Sequence, residues 1–451
     1  MPIDDSIPEN AIRYYASLRS GGDFESIYAS GQADAIVAYL SRMFFGGSSP
    51  PPGAVFEIAD LPSLRTLDGK VTDDAKQNLN RLIVRVLTDE NTWEKMHAAA
   101  ARLGDKGELV GIGVDLPVYA ARHWCPATDG GPFGDRSAAE RLIGVEALRQ
   151  AQPQLRGQGV NIALFDHGMD ASKIPTQNFG GGWPGGTRPA GTTTENGHGM
   201  SMVRQILSVA PDALIFDYPI LPPRITNVPT FLGEIEEAYQ YLLADVAIRK
   251  GRWVAVNAWS TFSRAREVPA GSYSNNPNHL FNLKMTETVE TGIDVVFAAG
   301  NCGQFCPDYR CGRKDRGPGS SIFGANSHPR VLTVGAVRSD GLWLGYSSQG
   351  EGQPSLERKK PDVCASSEFH ETYDAGMIAT GTSAACALAA GVIAALRSMW
   401  PAAAVSPDQL RGILTSTARK TEGAEWNGRF GHGILDAKAA FDAAVSVAPV
   451  T

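Results

Sequence analysis

Four short stretches of this chain carry side chains that can do chemistry together. They are Asp166-His167-Gly168, Asn196-Gly197-His198-Gly199, Ala298-Ala299-Gly300-Asn301 and Gly381-Thr382-Ser383-Ala384-Ala385. An Asp, a His, an Asn and a Ser, each beside or close to glycine, are the parts that acyl transfer needs. A serine hydroxyl is a weak nucleophile until a base removes its proton. An imidazole, with an unperturbed pKa of about 6.5, accepts that proton at neutral pH. A carboxylate orients the base and stabilises the imidazolium, and a side-chain amide donates to the oxyanion of the tetrahedral intermediate. Asp166, His198, Asn301 and Ser383 are therefore the candidate orienting, basic, oxyanion-binding and nucleophilic residues. The chain order Asp, His, Ser is one of three in which this constellation occurs on unrelated folds.

Such side chains must be held by regular elements. Val160 to Phe165 (VNIALF) is a short apolar run bounded by Gly159 and Asp166, which suits a buried parallel strand. Comparable runs are Ala213 to Phe216, Trp253 to Ala258, Asp294 to Ala298 and Val331 to Val337, with helical stretches between several of them, notably Phe231 to Lys250. This alternation predicts an α/β fold with a largely parallel sheet, whose chemistry gathers outside the carboxyl ends of the strands. Asp166 follows one such strand and Asn301 another. Met200 to Val209 and Ala384 to Leu396 read as helices, which puts His198 and Ser383 at helix N-termini. There, free backbone N–H groups and the positive end of the dipole favour an oxyanion.

From about Gly157 to Ala440 the chain resembles the subtilase family of serine peptidases. The four stretches above carry the resemblance, supported in order by Val331 to Val337, Tyr346 to Gly350, Lys360 to Val363 and Gly431 to Ala437. It implies a doubly wound, subtilisin-like sheet and a serine endopeptidase working through an acyl-enzyme. No cofactor or metal-ligand residue is expected, and no calcium-loop signature stands out. The resemblance further implies that Trp253 to Ser260 pairs with the substrate backbone, Trp259 and Ser260 touching the peptide, and that Ala298, Ala299 and Gly300 wall the first specificity pocket. Trp259-Ser260-Thr261 replaces a Ser-Leu-Gly type segment, so a bulky indole is expected to narrow a neighbouring subsite. Other departures are His167 for a small hydroxyl residue, Met200 for Thr and Ala387 for Pro. None removes a catalytic atom.

Residues 1–53 read as a helical segment over 8–45 followed by a Gly/Ser/Pro linker. Residues 54–136 read as a smaller α/β region, with a strand at Arg81 to Leu87, a helix from Asn91 to Leu103 and an extended stretch from Glu108 to Ala121. Strand, helix, strand ahead of the catalytic part resembles the inhibitory propeptide of many subtilases; a retained accessory domain is the alternative. The peptidase domain is expected over 137–451. The loop Gly180-x-Gly182-x-x-Gly185 spells a dinucleotide fingerprint but opens no helix, since Pro184 and Pro189 lie close by.

The chain has 451 residues, 43% of them hydrophobic, and a net charge of −7. That balance suits a globular protein of two or three domains and argues against a nucleic-acid surface. The apolar stretch Ala375 to Leu396 contains glycines and the Ser383 motif, so it reads as a buried helix rather than a membrane span. The opening residues are acidic, without the basic and apolar regions of a signal peptide, which predicts a cytoplasmic protein, with secretion as the alternative. Of six cysteines, Cys302, Cys306 and Cys311 form a cluster that suits thiols, one disulfide, or a zinc site lacking an evident fourth ligand. Cys364 and Cys386 read as buried small hydrophobes. The expected partners are a polypeptide substrate and a regulatory protein acting through the N-terminal region. Two other readings stand beside the peptidase: a catalytically silent peptide-binding module of the same fold, and an acidic Ser-Glu-Asp peptidase, which would need Glu where His198 stands.

Overall fold

The structure, a computed structural model, describes residues 12–19, 33–47, 49–51, 54–58, 81–88, 93–105, 109–121, 133–186, 188–193, 197–221, 230–371, 377–421, 423 and 425–448. The N-terminal region holds strands β1 (Ile12–Arg19), β2 (Val55–Ile58), β3 (Arg81–Thr88) and β4 (Leu109–Val114), with helices α1 (Ala33–Phe45) and α2 (Trp93–Asp105). Its strands form one antiparallel sheet in the order β2-β3-β1-β4. Ile12–Arg19 is thus a strand where a helix was expected. Its Ile and paired tyrosines favour a pleated, half-buried surface, and it lies between β3 and β4 with Tyr14 opposite both Val86 and Val114. The expected helical segment and the expected α/β region therefore share one sheet.

A short strand, β5 (Pro117–Ala120), leaves this sheet. It runs antiparallel between β9 (Thr230–Phe231) and β11 (Trp259–Ser260). The central sheet contains β6 (Val160–Asp166), β7 (Phe179–Gly182), β8 (Leu214–Pro219), β10 (Arg252–Asn257), β12 (Asp294–Ala298), β13 (Leu332–Val337) and β14 (Val363–Ser366). All seven are parallel, in the order β14-β13-β12-β10-β6-β8-β7. The glycine loop expected after Asp166 contributes its first residues to the edge strand β7.

Successive side chains of β6 point to opposite faces, and both faces are covered. Ile162 and Leu164 join a core with helices α5 (His198–Val209) and α8 (Gly381–Arg397). Ala163 and Phe165 join another core with α6 (Leu232–Arg249) and α7 (Leu280–Glu290). The remaining helices are α3 (Arg136–Leu142), α4 (Val145–Ala151), α9 (Pro407–Ser416) and α10 (Ala437–Val447). Helices on both faces of a parallel sheet make the doubly wound α/β fold that the strand pattern predicts. The second core continues into the N-terminal region through Tyr14, Tyr15, Leu40 and Met96. Helix α8 is buried along its whole length, and among the described residues no helix is long and apolar enough to cross a membrane.

Candidate active site

Three elements bring the first three candidate residues together. Asp166 ends β6, His198 begins α5, and Ser383 lies in the first turn of α8. His198 Nδ1 lies 2.8 Å from both Asp166 carboxylate oxygens, and its Nε2 lies 2.9 Å from Ser383 Oγ. A carboxylate can only accept, so Nδ1 carries the proton and Nε2 presents its lone pair to the serine hydroxyl. All three side chains are buried. Burial pushes the Asp166 carboxyl upward, but the electrostatic attraction and hydrogen bond of the His198 imidazole, with the electrostatic effect and backbone N–H of His167, outweigh it. The carboxyl therefore sits below its ordinary value.

Two glycines let the strand end and the helix start meet. A Cβ on Gly199 would lie 2.3 Å from the Gly168 carbonyl oxygen, and Gly168 itself has φ +96°. Larger residues at either place would push His198 away from Asp166. His167 turns its ring edge-on to His198, with centroids 5.6 Å apart. Asp166, His167 and His198 are of metal-ligating types with ligand atoms within 4.8 Å of one another. The Asp166–His198 hydrogen bonds account for that closeness. Met200, where the resemblance leads one to expect Thr, accepts the Asp170 N–H on its sulfur.

Asn301 follows β12, and its amide is oriented by Thr382, whose backbone N–H and Oγ1 both donate to Asn301 Oδ1, at 3.0 and 2.9 Å. That leaves Asn301 Nδ2 to donate to one acceptor, the backbone carbonyl of Ala121 at the end of β5. Ser383 Oγ lies 3.1 Å from the same carbonyl oxygen. The Ala121 N–H donates to Ala258 O at 2.9 Å, and Trp259 and Ser260 pair with Ala120 and Tyr119. An extended backbone thus lies along β11 and ends with its carbonyl between the serine hydroxyl and the asparagine amide. Sequence motifs pointed to Asn301 and Ser383 but gave no sign of Ala121 and no orienting role for Thr382.

Ala298 and Ala299 are buried, the Ala298 carbonyl accepting from Asn326 Nδ2 and the Ala299 N–H donating to Val334 O. Gly300, at φ +101°, donates its N–H to Thr382 Oγ1. The Trp259 indole is fully buried. It donates to Asn257 Oδ1 and packs against Phe281 and Phe297, in the same core as Val118 and Ala120.

Asp217 on β8 was also missed. One of its oxygens accepts from Met169 N and Gly191 N, which secures the loop after Asp166. Burial, opposed by those two N–H groups and aided by the charge of Asp166, raises its pKa to about 7. Cys302 and Cys311 form a disulfide and Cys306 stands apart from it, so the cluster is a bridge rather than a zinc site. Cys364 and Cys386 are buried, as expected, and burial pushes both thiols up.

The model of the subtilase family matches residues 157–433, more than half of the chain. Among solved structures, the chain is similar to fervidolysin from Fervidobacterium pennivorans, described as a keratinolytic enzyme related to subtilisin. The TM-score is 0.54 and the identity 17%, over 88% of this chain and 61% of that one. The chain thus spans about three fifths of fervidolysin's length. MycP1 from Mycobacterium smegmatis matches at 19% identity and TM-score 0.46, over 72% of this chain and 90% of that one.

Proposed function

The chain belongs to the subtilase family, and we propose that it is a serine endopeptidase whose first substrate is its own N-terminal region. One observation carries this reading: the Ala121 carbonyl oxygen lies within hydrogen-bond reach of both Ser383 Oγ and Asn301 Nδ2. His198 Nε2 takes the Ser383 proton, and Oγ attacks the Ala121 carbonyl carbon. The oxygen becomes an oxyanion that Asn301 Nδ2 stabilises. The His198 imidazolium, held by Asp166, then protonates the leaving amide nitrogen, and water releases the acyl group by the same steps in reverse order.

Once cut, the N-terminal region stays in the cleft. Its β5 is paired on both edges, Tyr15 donates to Glu236 at 3.0 Å, and Asp115 accepts the Gly233 N–H at the start of α6. It therefore inhibits its own enzyme, in the manner of the inhibitory propeptide that the sequence resembles. Val118, Ala120 and Ala121 mark the residue sizes that the cleft accepts. The buried Cys302–Cys311 bridge belongs to an oxidising compartment, which favours export over the expected cytoplasmic setting.

Reacting the full chain and Ser383→Ala with a fluorophosphonate, and reading intact masses, tests this reading. One adduct on the wild type, none on the variant, and wild-type loss of a fragment ending at Ala121 are expected. No adduct on a folded chain whose N-terminal region has been removed by an added protease would favour a silent peptide-binding module.

A further inference from the structure

Tyr119 lies two residues before Ala121, and its side chain is met by a built set of groups outside the catalytic residues. Phe262 contacts its ring edge-on, with centroids 6.1 Å apart. The Arg310 guanidinium lies 4.3 Å from the Phe262 centroid and 5.6 Å from that of Tyr119. Beneath them, Phe262 and the Cys302–Cys311 bridge form a small apolar cluster of their own, with Tyr119 packed against it.

Arg310 is held in place. Its Nε and Nη2 donate to Asp308 at 2.9 and 2.7 Å, and the Asp308 N–H in turn donates to Asn301 O. Nη2 also donates to the Ala120 carbonyl at 3.2 Å. Asp308 and Arg310 both lie in the loop closed by the disulfide, which begins directly after Asn301. A planar, weakly hydrated guanidinium beside a ring face, and a second ring meeting it at its edge, recognise a π-system rather than bulk alone.

We propose that Phe262, Arg310 and the Cys302–Cys311 bridge form a subsite for an aromatic side chain at the third residue before the scissile bond. Arg310 is a specificity-determining residue with two separable contacts. Its bond to the Ala120 carbonyl position serves every peptide, whereas its guanidinium face serves aromatic ones. This inference rests on the peptidase reading above.

The test uses fluorogenic peptides Val-Xaa-Ala-Ala, with Xaa as Tyr, Leu, Ala or Glu, on the enzyme after its N-terminal region has been removed by an added protease, and on Phe262→Ala, Arg310→Ala and Arg310→Lys treated alike. Wild-type kcat/KM should favour Tyr over Ala on the order of tenfold. Phe262→Ala should lower kcat/KM for the Tyr peptide about tenfold more than for the Ala peptide, which erases the preference. Arg310→Ala should slow all four peptides and also flatten the preference, and Arg310→Lys should recover only the uniform part. Leu or Glu matching Tyr on the wild type, or a preference surviving Phe262→Ala, would overturn the subsite. Fluorophosphonate labelling of the same samples separates the two readings. Labelled enzyme without an aromatic preference removes the subsite alone, and unlabelled, inactive enzyme removes the peptidase reading and the subsite with it.

Discussion

In the central-sheet region the decisive polar side chains face one another: Asp166 on His198, His198 on Ser383, Thr382 on Asn301. The N-terminal region directs its polar groups outward instead. Tyr15 reaches Glu236, the Val114 carbonyl receives His279 Nε2, Asp115 meets the N–H of Gly233, and Ala121 offers its carbonyl to Asn301 and Ser383. The first arrangement is made within one region. The second consists of boundary contacts, of which those of Tyr15, Val114 and Asp115 touch none of Asp166, His198, Asn301 and Ser383. A proteolytic cut after Ala121 would turn this boundary into an interface between separate chains, whose lifetime sets when activity appears.

Substitutions can break that contrast in order of size. Asn301→Ala should lower kcat on peptides by about 10²–10³, with KM little changed, because the lost donor acts on the oxyanion. Thr382→Val should cost about tenfold in the same assay, since it removes one of two bonds that orient Asn301. Across the boundary, Tyr15→Phe should leave kcat alone. It leaves the buried Glu236 short of a partner, so activity should follow self-processing about tenfold sooner in a combined mass and fluorescence time course.

A smaller, pH-dependent effect belongs to Asp217. A carboxyl raised from 3.8 to about 7 binds its proton more tightly in the folded protein than in the unfolded one. Its stabilising contribution is therefore whole below the unfolded pKa and is lost as pH climbs through 7. Asp217→Asn should flatten the fall in Tm between pH 5 and 8, raising the value at pH 8 relative to the wild type; parallel Tm curves would remove this assignment.

Part of this contrast was legible before any coordinates. VNIALF ending in Asp166, and the apolar helix after Gly381-Thr382-Ser383, are local patterns that settle strand and helix within a few residues. The doubly wound sheet follows from their alternation. Ile12–Arg19 was misread because its short run carries little periodicity of its own. It is a strand because β3 and β4 flank it. The indole of Trp259 was weighed only as bulk, since its hydrogen bond to Asn257 and its packing on Phe297 depend on how β10, β11 and β12 cross. Nothing in Cys302, Cys306 and Cys311 themselves chose which pair would bridge.

The sequence alone determined the chemical types, their order along the chain and the elements that carry them, because each motif is bound to its own strand end or helix start. Only the tertiary structure decided which carbonyl fills the cleft, which cysteines pair and what surrounds Tyr119. Ala121 and Ser383 stand 262 residues apart, and Arg310 meets Ala120 across 190. Such contacts arise from the packing of one region's edge strand against another's. No local pattern encodes them.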